Sequence, residues 1–183
     1  MPTILSHAAV PLALGLGLGA QHIPRRLLAA GVVASILPDL DVLAFRFHIA
    51  YGDVLGHRGA SHSLAFALLM GLVAFVLAQH LRTQRHTAFW FVAVCTASHG
   101  VLDMFTNGGF GAALWWPLSD VRVFAPWQVI EVSPLSLRRV FSAKGLQVLQ
   151  SELLWVWLPA TVVFAMLWLR RHLPSTQKPG PGV

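Results

Sequence analysis

Five apolar runs separated by polar connectors set the frame for this chain: residues 8–20, 27–37, 64–78, 88–105 and 153–169. Lipid offers no partner to a free backbone N–H or C=O, so only helices or closed barrels cross it, and a spanning helix needs about 20 apolar residues. The chain is 56% hydrophobic and 11% charged, with a mean hydropathy of +0.65, whereas soluble domains carry roughly 25% charge. The expected fold is therefore all-α: an integral membrane helical bundle of about five transmembrane helices. It is read as a single domain over residues 1–172, with a disordered tail at 173–183. No Lys or Arg precedes the first run, so the N-terminus reads as an uncleaved helix rather than a signal peptide. The single cysteine, Cys95, excludes an intrachain disulfide.

Several runs are shorter than a span unless their polar ends are included, which places those ends at or just below the membrane surface, lining a protected cavity. The ends carry His7, then Asp39 and Asp41, then His57 and His62, then His99 and Asp103. Threading the helices alternately across the bilayer puts all of them on one side. Ionisable groups in a membrane are costly and mark sites, so the expectation is a His/Asp metal site at one membrane face.

His57-Arg58-Gly59-Ala60-Ser61-His62-Ser63 stands at the mouth of the third run. On an ideal helix His57 and His62 would lie about 140° apart. Gly59 breaks such a helix, and Ser61 or Ser63 can cap the next one, so His57 is read as a loop residue aimed at the same spot as His62. The plain alternative is a polar interfacial loop. His99 and Asp103, four apart, share a helix face; the alternative is a helix–helix hydrogen bond. Asp39 and Asp41, two apart, would point the same way if Pro38 forces an extended turn; the alternative is a simple interfacial turn. His7 rests on the shared face alone. His48 and Asp53 lie on the same side in a loop, while His22, His80, His86 and His172 fall on the other side or in the tail. Arg58 would clamp an anionic substrate or meet lipid headgroups.

Imidazoles and carboxylates without thiolates suit a divalent metal, zinc ahead of manganese or iron, and seven candidate ligands exceed one tetrahedral shell, which allows two ions, or one ion with aspartates behind its ligands. The 13 Lys+Arg against 7 Asp+Glu are scattered over connectors rather than gathered in a stripe. They read as topology signals and lipid contacts, not as a nucleic-acid surface.

These elements resemble the bacterial membrane-bound metal-dependent hydrolases typified by YdjM. The matching residues are Ser6-His7, Pro38-Asp39-Leu40-Asp41, His57 through Ser63, Ser98-His99 through Asp103, and Trp116-Pro117-Leu118, spanning His7 to about Pro134. The resemblance implies a metal-dependent hydrolase of the inner membrane, distantly similar to zinc-dependent phospholipases C and related nucleases. The expected function is hydrolysis of a phosphoester or lipid substrate by a metal-activated water, with membrane lipid as a partner. Asp41, Asp103 or Glu131 would act as general base. The rival is a non-enzymatic membrane protein, a metal or proton transporter or a scaffold. Arg25, Arg26, Arg82, Arg85, Arg170, Arg171 and Lys178 lie opposite the site, against Arg46, Arg58, Arg122, Arg138, Arg139 and Lys144 on its side. Discounting the long segment after the fourth run, this predicts a cytoplasmic C-terminus and a site facing the periplasm.

Overall fold

The computed structural model describes residues 2–133 and 142–173. Among these residues there are seven α-helices: α1 (Ile4–His7), α2 (Ala9–Leu18), α3 (Arg25–Ile36), α4 (Leu64–Val76), α5 (Arg85–Met104), α6 (Ala143–Glu152) and α7 (Leu158–His172). A 3₁₀ segment, Leu37–Phe47, continues α3, a second covers Ala60–His62, and a π turn, Leu153–Trp157, joins α6 to α7. There is no strand among the described residues; the only β pairings are isolated bridges, Thr106 with Ile130 and Ala112 with Val123. The fold is the expected all-helical bundle. Three stretches are long and apolar enough to cross a membrane, Arg25–Phe47, Arg85–Met104 and Ala143–His172, and two apolar helices, Ile4–Leu18 and Leu64–Val76, are shorter. The expected tail falls outside the described residues apart from Leu173, as do Arg138, Arg139 and Lys178.

Close approach of backbones holds the bundle together. A Cβ on Gly71 would stand 2.9 Å from the Phe89 carbonyl oxygen and 3.0 Å from Ala93 Cβ, so only glycine lets α4 lie this close to α5. A Cβ on Gly17 would meet Leu167 Cβ at 2.8 Å, which fixes α2 against α7 in the same way. Small residues at such crossings are how helices associate in lipid, where apolar side chains gain nothing by leaving the bilayer. Between α3, α4 and α5 lies a core of Leu27, Ala34, Ala74, Ala88, Phe91, Val92 and Cys95. By contrast α7 has no buried residue. Its Leu158, Val162, Met166 and Leu169 are exposed, as a lipid-facing helix requires.

One local expectation is corrected and another is narrowed. Leu37 keeps helical dihedrals (φ −53°, ψ −39°), so Pro38 does not force an extended turn. It occupies the first turn of the 3₁₀ segment, where its missing N–H costs nothing. Helical winding therefore replaces the expected turn, and Asp39 and Asp41 point to different neighbours. Of the two candidate caps, Ser63 starts α4: its Oγ accepts the Phe66 N–H at 3.0 Å.

Candidate metal centre

Each element delivers its side chains to one buried point. α1 brings His7, the 3₁₀ turn after α3 brings Asp39, the Ala60–His62 turn brings His62, and α5 brings His99 and Asp103. Relative exposure of these five residues is 0–4%. α5 can sit against the His62 turn because residue 100 is glycine; a Cβ there would collide with the His62 carbonyl oxygen.

The tautomers follow from fixed partners. His99 Nδ1 lies 2.7 Å from the Ser35 carbonyl oxygen, which can only accept, so Nδ1 carries the proton. Ser61 Oγ donates to Asp41 Oδ2 at 2.7 Å, which leaves its lone pairs to accept from His62 Nδ1 at 3.0 Å. Both rings therefore turn Nε2 inward, and the two Nε2 atoms stand 3.0 Å apart. Asp39 Oδ1 is 3.3 Å from His99 Nε2, and Asp103 Oδ2 is 3.1 Å from His62 Nε2 and 3.9 Å from His99 Nε2. Asp39, His62, His99 and Asp103 each offer one ligand atom, and the four atoms lie within 4.8 Å of one another. Ligands held 2.0–2.2 Å from a single zinc stand roughly 3.3 Å apart, so the spacing fits one ion.

His7 completes this wall. Its ring stacks on His99 with centroids 3.6 Å apart and 15° between planes. His7 Nε2 faces Asp39 Oδ2 at 3.8 Å and Asp103 Oδ1 at 4.0 Å. Both His7 nitrogens, both Asp39 oxygens and Asp103 Oδ2 are buried without a hydrogen-bond partner. Unpartnered buried polar atoms cost about 1–3 kcal/mol each, and a cation among the acceptors satisfies several at once. Without one, protons must serve. Burial works against charge on the His62 ring, yet the Asp103 and Asp41 carboxylates override it and raise its pKa to about 9.

Asp41 lies to one side, in a second group with His57 and His62. His57 Nδ1 reaches Asp41 Oδ1 at 2.5 Å, while the Arg58 N–H at 3.0 Å and the Ser61 hydroxyl at 2.7 Å both meet Oδ2, and His62 Nδ1 lies 3.2 Å from the same oxygen. Arg58 adopts φ +62°, a left-handed conformation uncommon outside glycine. That twist points its N–H at Asp41 and its carbonyl at the Ala113 N–H, 3.0 Å away.

The Arg58 side chain is fully buried, which rules out contact with lipid headgroups. Its Nη2 donates to Asp103 Oδ1 at 3.3 Å and Thr106 Oγ1 at 2.9 Å, and Nη1 to the Gly108 carbonyl at 2.9 Å. Nε stands 3.1 Å from Asp103 Oδ2 without hydrogen-bond geometry. The guanidinium expected to clamp a substrate is thus occupied within the chain, holding the end of α5.

Glu131, a candidate base, makes its contacts elsewhere. It accepts from Lys144, and its backbone N–H donates to Ser151 Oγ at 3.0 Å. Hydrogen bonds from Lys144 and Asn107 lower its pKa, so it is a weaker base than an ordinary carboxylate. His48 ends the first 3₁₀ segment and Asp53 accepts the Ala50 N–H, both in the loop. Sequence reasoning passed over Thr106, which ties Arg58 in place, and Glu152. Buried Glu152 accepts from Thr3 N–H, Thr3 Oγ1 at 2.7 Å and Ser6 Oγ at 2.8 Å, so the end of α6 grips the turn that carries His7. The available signal was a single acid at the head of the last apolar run.

The chain belongs to the family described as YdjM inner membrane protein, whose model matches residues 1–173. It is 51% identical over 173 residues to the inner membrane protein YbcI of Escherichia coli strain K12, covering 94% of this chain and 100% of that protein. No solved structure matches.

Proposed function

We propose that this member of the YdjM family is an inner-membrane metal-dependent hydrolase acting on a phosphoester or lipid substrate. The observation that carries the metal half of this reading is the acceptor-only centre formed by His62 Nε2, His99 Nε2, Asp39 Oδ1 and Asp103 Oδ2. His7 stands beside these atoms with both ring nitrogens unengaged. The hydrolase half rests on the resemblance to metal-dependent hydrolases. When bound, a divalent ion, zinc ahead of manganese or iron, supplies a Lewis acid that polarises the scissile group and eases deprotonation of water.

The chain's own residues would then divide the work. Ser35 and Asp41 fix the rings of His99 and His62. Arg58 holds the Asp103 carboxylate in place through Oδ1. Asp39 faces His99 with one oxygen and His7 with the other, and Oδ2 would take the proton of the attacking water. Asp39 stands ahead of Asp103 and Glu131 for the base role, because Asp103 gives Oδ2 to the centre and Oδ1 to Arg58, and Glu131 is held by Lys144. The site is expected to face the periplasm, with the C-terminus cytoplasmic.

A second reading, a non-enzymatic metal-holding or transporting protein, is favoured by one observation: the ligand side chains are almost wholly buried. Metal analysis of the detergent-purified chain, followed by a hydrolysis screen with phosphoester and lipid substrates, separates the two. The hydrolase reading expects turnover that chelation abolishes and that is lost in His62→Ala and Asp103→Asn. Full activity in His62→Ala removes this site from the chemistry, and metal-loaded protein that cleaves nothing across the panel favours the second reading.

A further inference from the structure

Two clusters of titratable side chains share His62, and at first sight each could take an ion. Their chemistry differs. In the first, nitrogens and oxygens with lone pairs face one another, and Asp39 Oδ1, Asp39 Oδ2 and Asp103 Oδ2 have no donor. In the second, every oxygen of Asp41 already has one. His57 meets Oδ1; the Arg58 N–H and Ser61 Oγ donate to Oδ2, with His62 Nδ1 3.2 Å from the same oxygen. The Arg58 donor is a peptide N–H, which no ordinary pH removes, so Oδ2 stays engaged whether or not a cation is near.

We propose that the protein binds one metal ion per chain, at Asp39, His62, His99 and Asp103 with His7 alongside. Asp41 and His57 lie outside that shell, and Asp41 is a positioning residue. It holds the His62 ring by its Nδ1 face, so that Nε2 is the nitrogen turned to the ion. A carboxylate behind a ligating imidazole fixes both the tautomer and the ring plane, and its loss typically weakens metal binding 10- to 100-fold without removing the site. Arg58 links the two layers, because its backbone N–H serves Asp41 and its side chain serves Asp103. This inference rests on the metal half of the proposed function and is independent of hydrolysis.

The test counts metal and needs no turnover. Full-length protein in detergent is stripped with chelator and titrated with zinc, and separately with cobalt, whose visible spectrum reports the ligand set. Wild type, Asp41→Asn, His57→Phe and Asp39→Asn are compared. The expected result is one equivalent in wild type and one in His57→Phe. Asp41→Asn should also take one equivalent, with a cobalt spectrum like that of wild type and affinity weakened roughly 10- to 100-fold. Asp39→Asn should change the cobalt spectrum or lose the ion. His57→Phe keeps the question answerable if Asp41→Asn fails to fold. Two equivalents in wild type, falling to one in His57→Phe or Asp41→Asn, overturn the inference while leaving the proposed hydrolase standing. No uptake by wild type overturns the metal centre altogether. A single ion whose cobalt spectrum changes in Asp41→Asn but not in Asp39→Asn reverses the two aspartates' roles.

Discussion

The Nε2 atoms of His62 and His99 face each other at 3.0 Å, while the opposite nitrogen of each ring is committed, His62 to Asp41 and Ser61 and His99 to the Ser35 carbonyl. Two imidazole lone pairs do not approach this closely by preference. A cation or a proton has to lie between them, and the consequences differ with pH.

With its pKa raised to about 9 in the metal-free chain, His62 holds a proton that an incoming ion must displace. Metal affinity should therefore rise with pH, by up to about tenfold per unit, until pH reaches about 9. Stability of the metal-free chain runs the other way. A raised folded-state pKa contributes stability that is complete below about 6.5 and is lost as pH rises through about 9. Zinc titrations at three pH values, paired with unfolding of chelated protein, check both signs. Affinity independent of pH would count against His62 as a ligand.

Arg58→Ala should be among the most damaging single changes. It leaves the Asp103 carboxylate and Thr106 buried without their partner, and breaking a buried ion pair costs about 3–5 kcal/mol. Metal affinity should fall with stability, because Asp103 is released. Lysine should recover only part, since one ammonium cannot serve Asp103, Thr106 and the Gly108 carbonyl together. Unfolding midpoints and metal counts on the three proteins test this; wild-type stability in Arg58→Ala would refute the buried pair.

Gly100→Ala adds one methyl group where the His62 carbonyl lies. The His62 turn must move away from α5, which separates His62 from His99. The expected outcome is a folded protein with measurably weaker metal binding. Unchanged affinity would mean that the turn yields without carrying the imidazole with it.

Glu152→Gln probes the opposite side of His7. Glutamine keeps the shape but offers a single acceptor oxygen where the carboxylate offers two, and the donors are three. Hydrogen bonds to a charged group are worth about 1.5–3 kcal/mol, so a loss of that order is expected in an unfolding assay, with more for Glu152→Ala. Faster proteolysis near residues 2–8 in the variant would show that the clasp pins the first helix.

How much of this was legible beforehand follows from the physics of each residue. Five apolar runs forced helices, because lipid leaves the backbone no other partner. The parity of up-down threading then put His7, Asp39, Asp41, His57, His62, His99 and Asp103 on one side, and the four-residue spacing put His99 and Asp103 on one face. Those readings need only periodicity and the cost of charge in a membrane.

The direction of each side chain was not available at that level. Asp39 and Asp41 part company because a 3₁₀ turn, not an extended one, follows α3. That winding depends on what Asp41 meets 16 to 20 residues away, in His57, Arg58 and Ser61. Arg58 turns inward because Asp103 and Thr106 wait 45 and 48 residues further on. Glu152 reaches Thr3 and Ser6 across nearly the whole chain. Apolar runs and the polar residues at their ends were enough to establish a helical membrane protein with a His/Asp cluster at one end. The tertiary structure alone decided which acceptors were left facing each other and which already had donors, because satisfaction of a buried polar atom depends on neighbours that packing brings from distant parts of the chain.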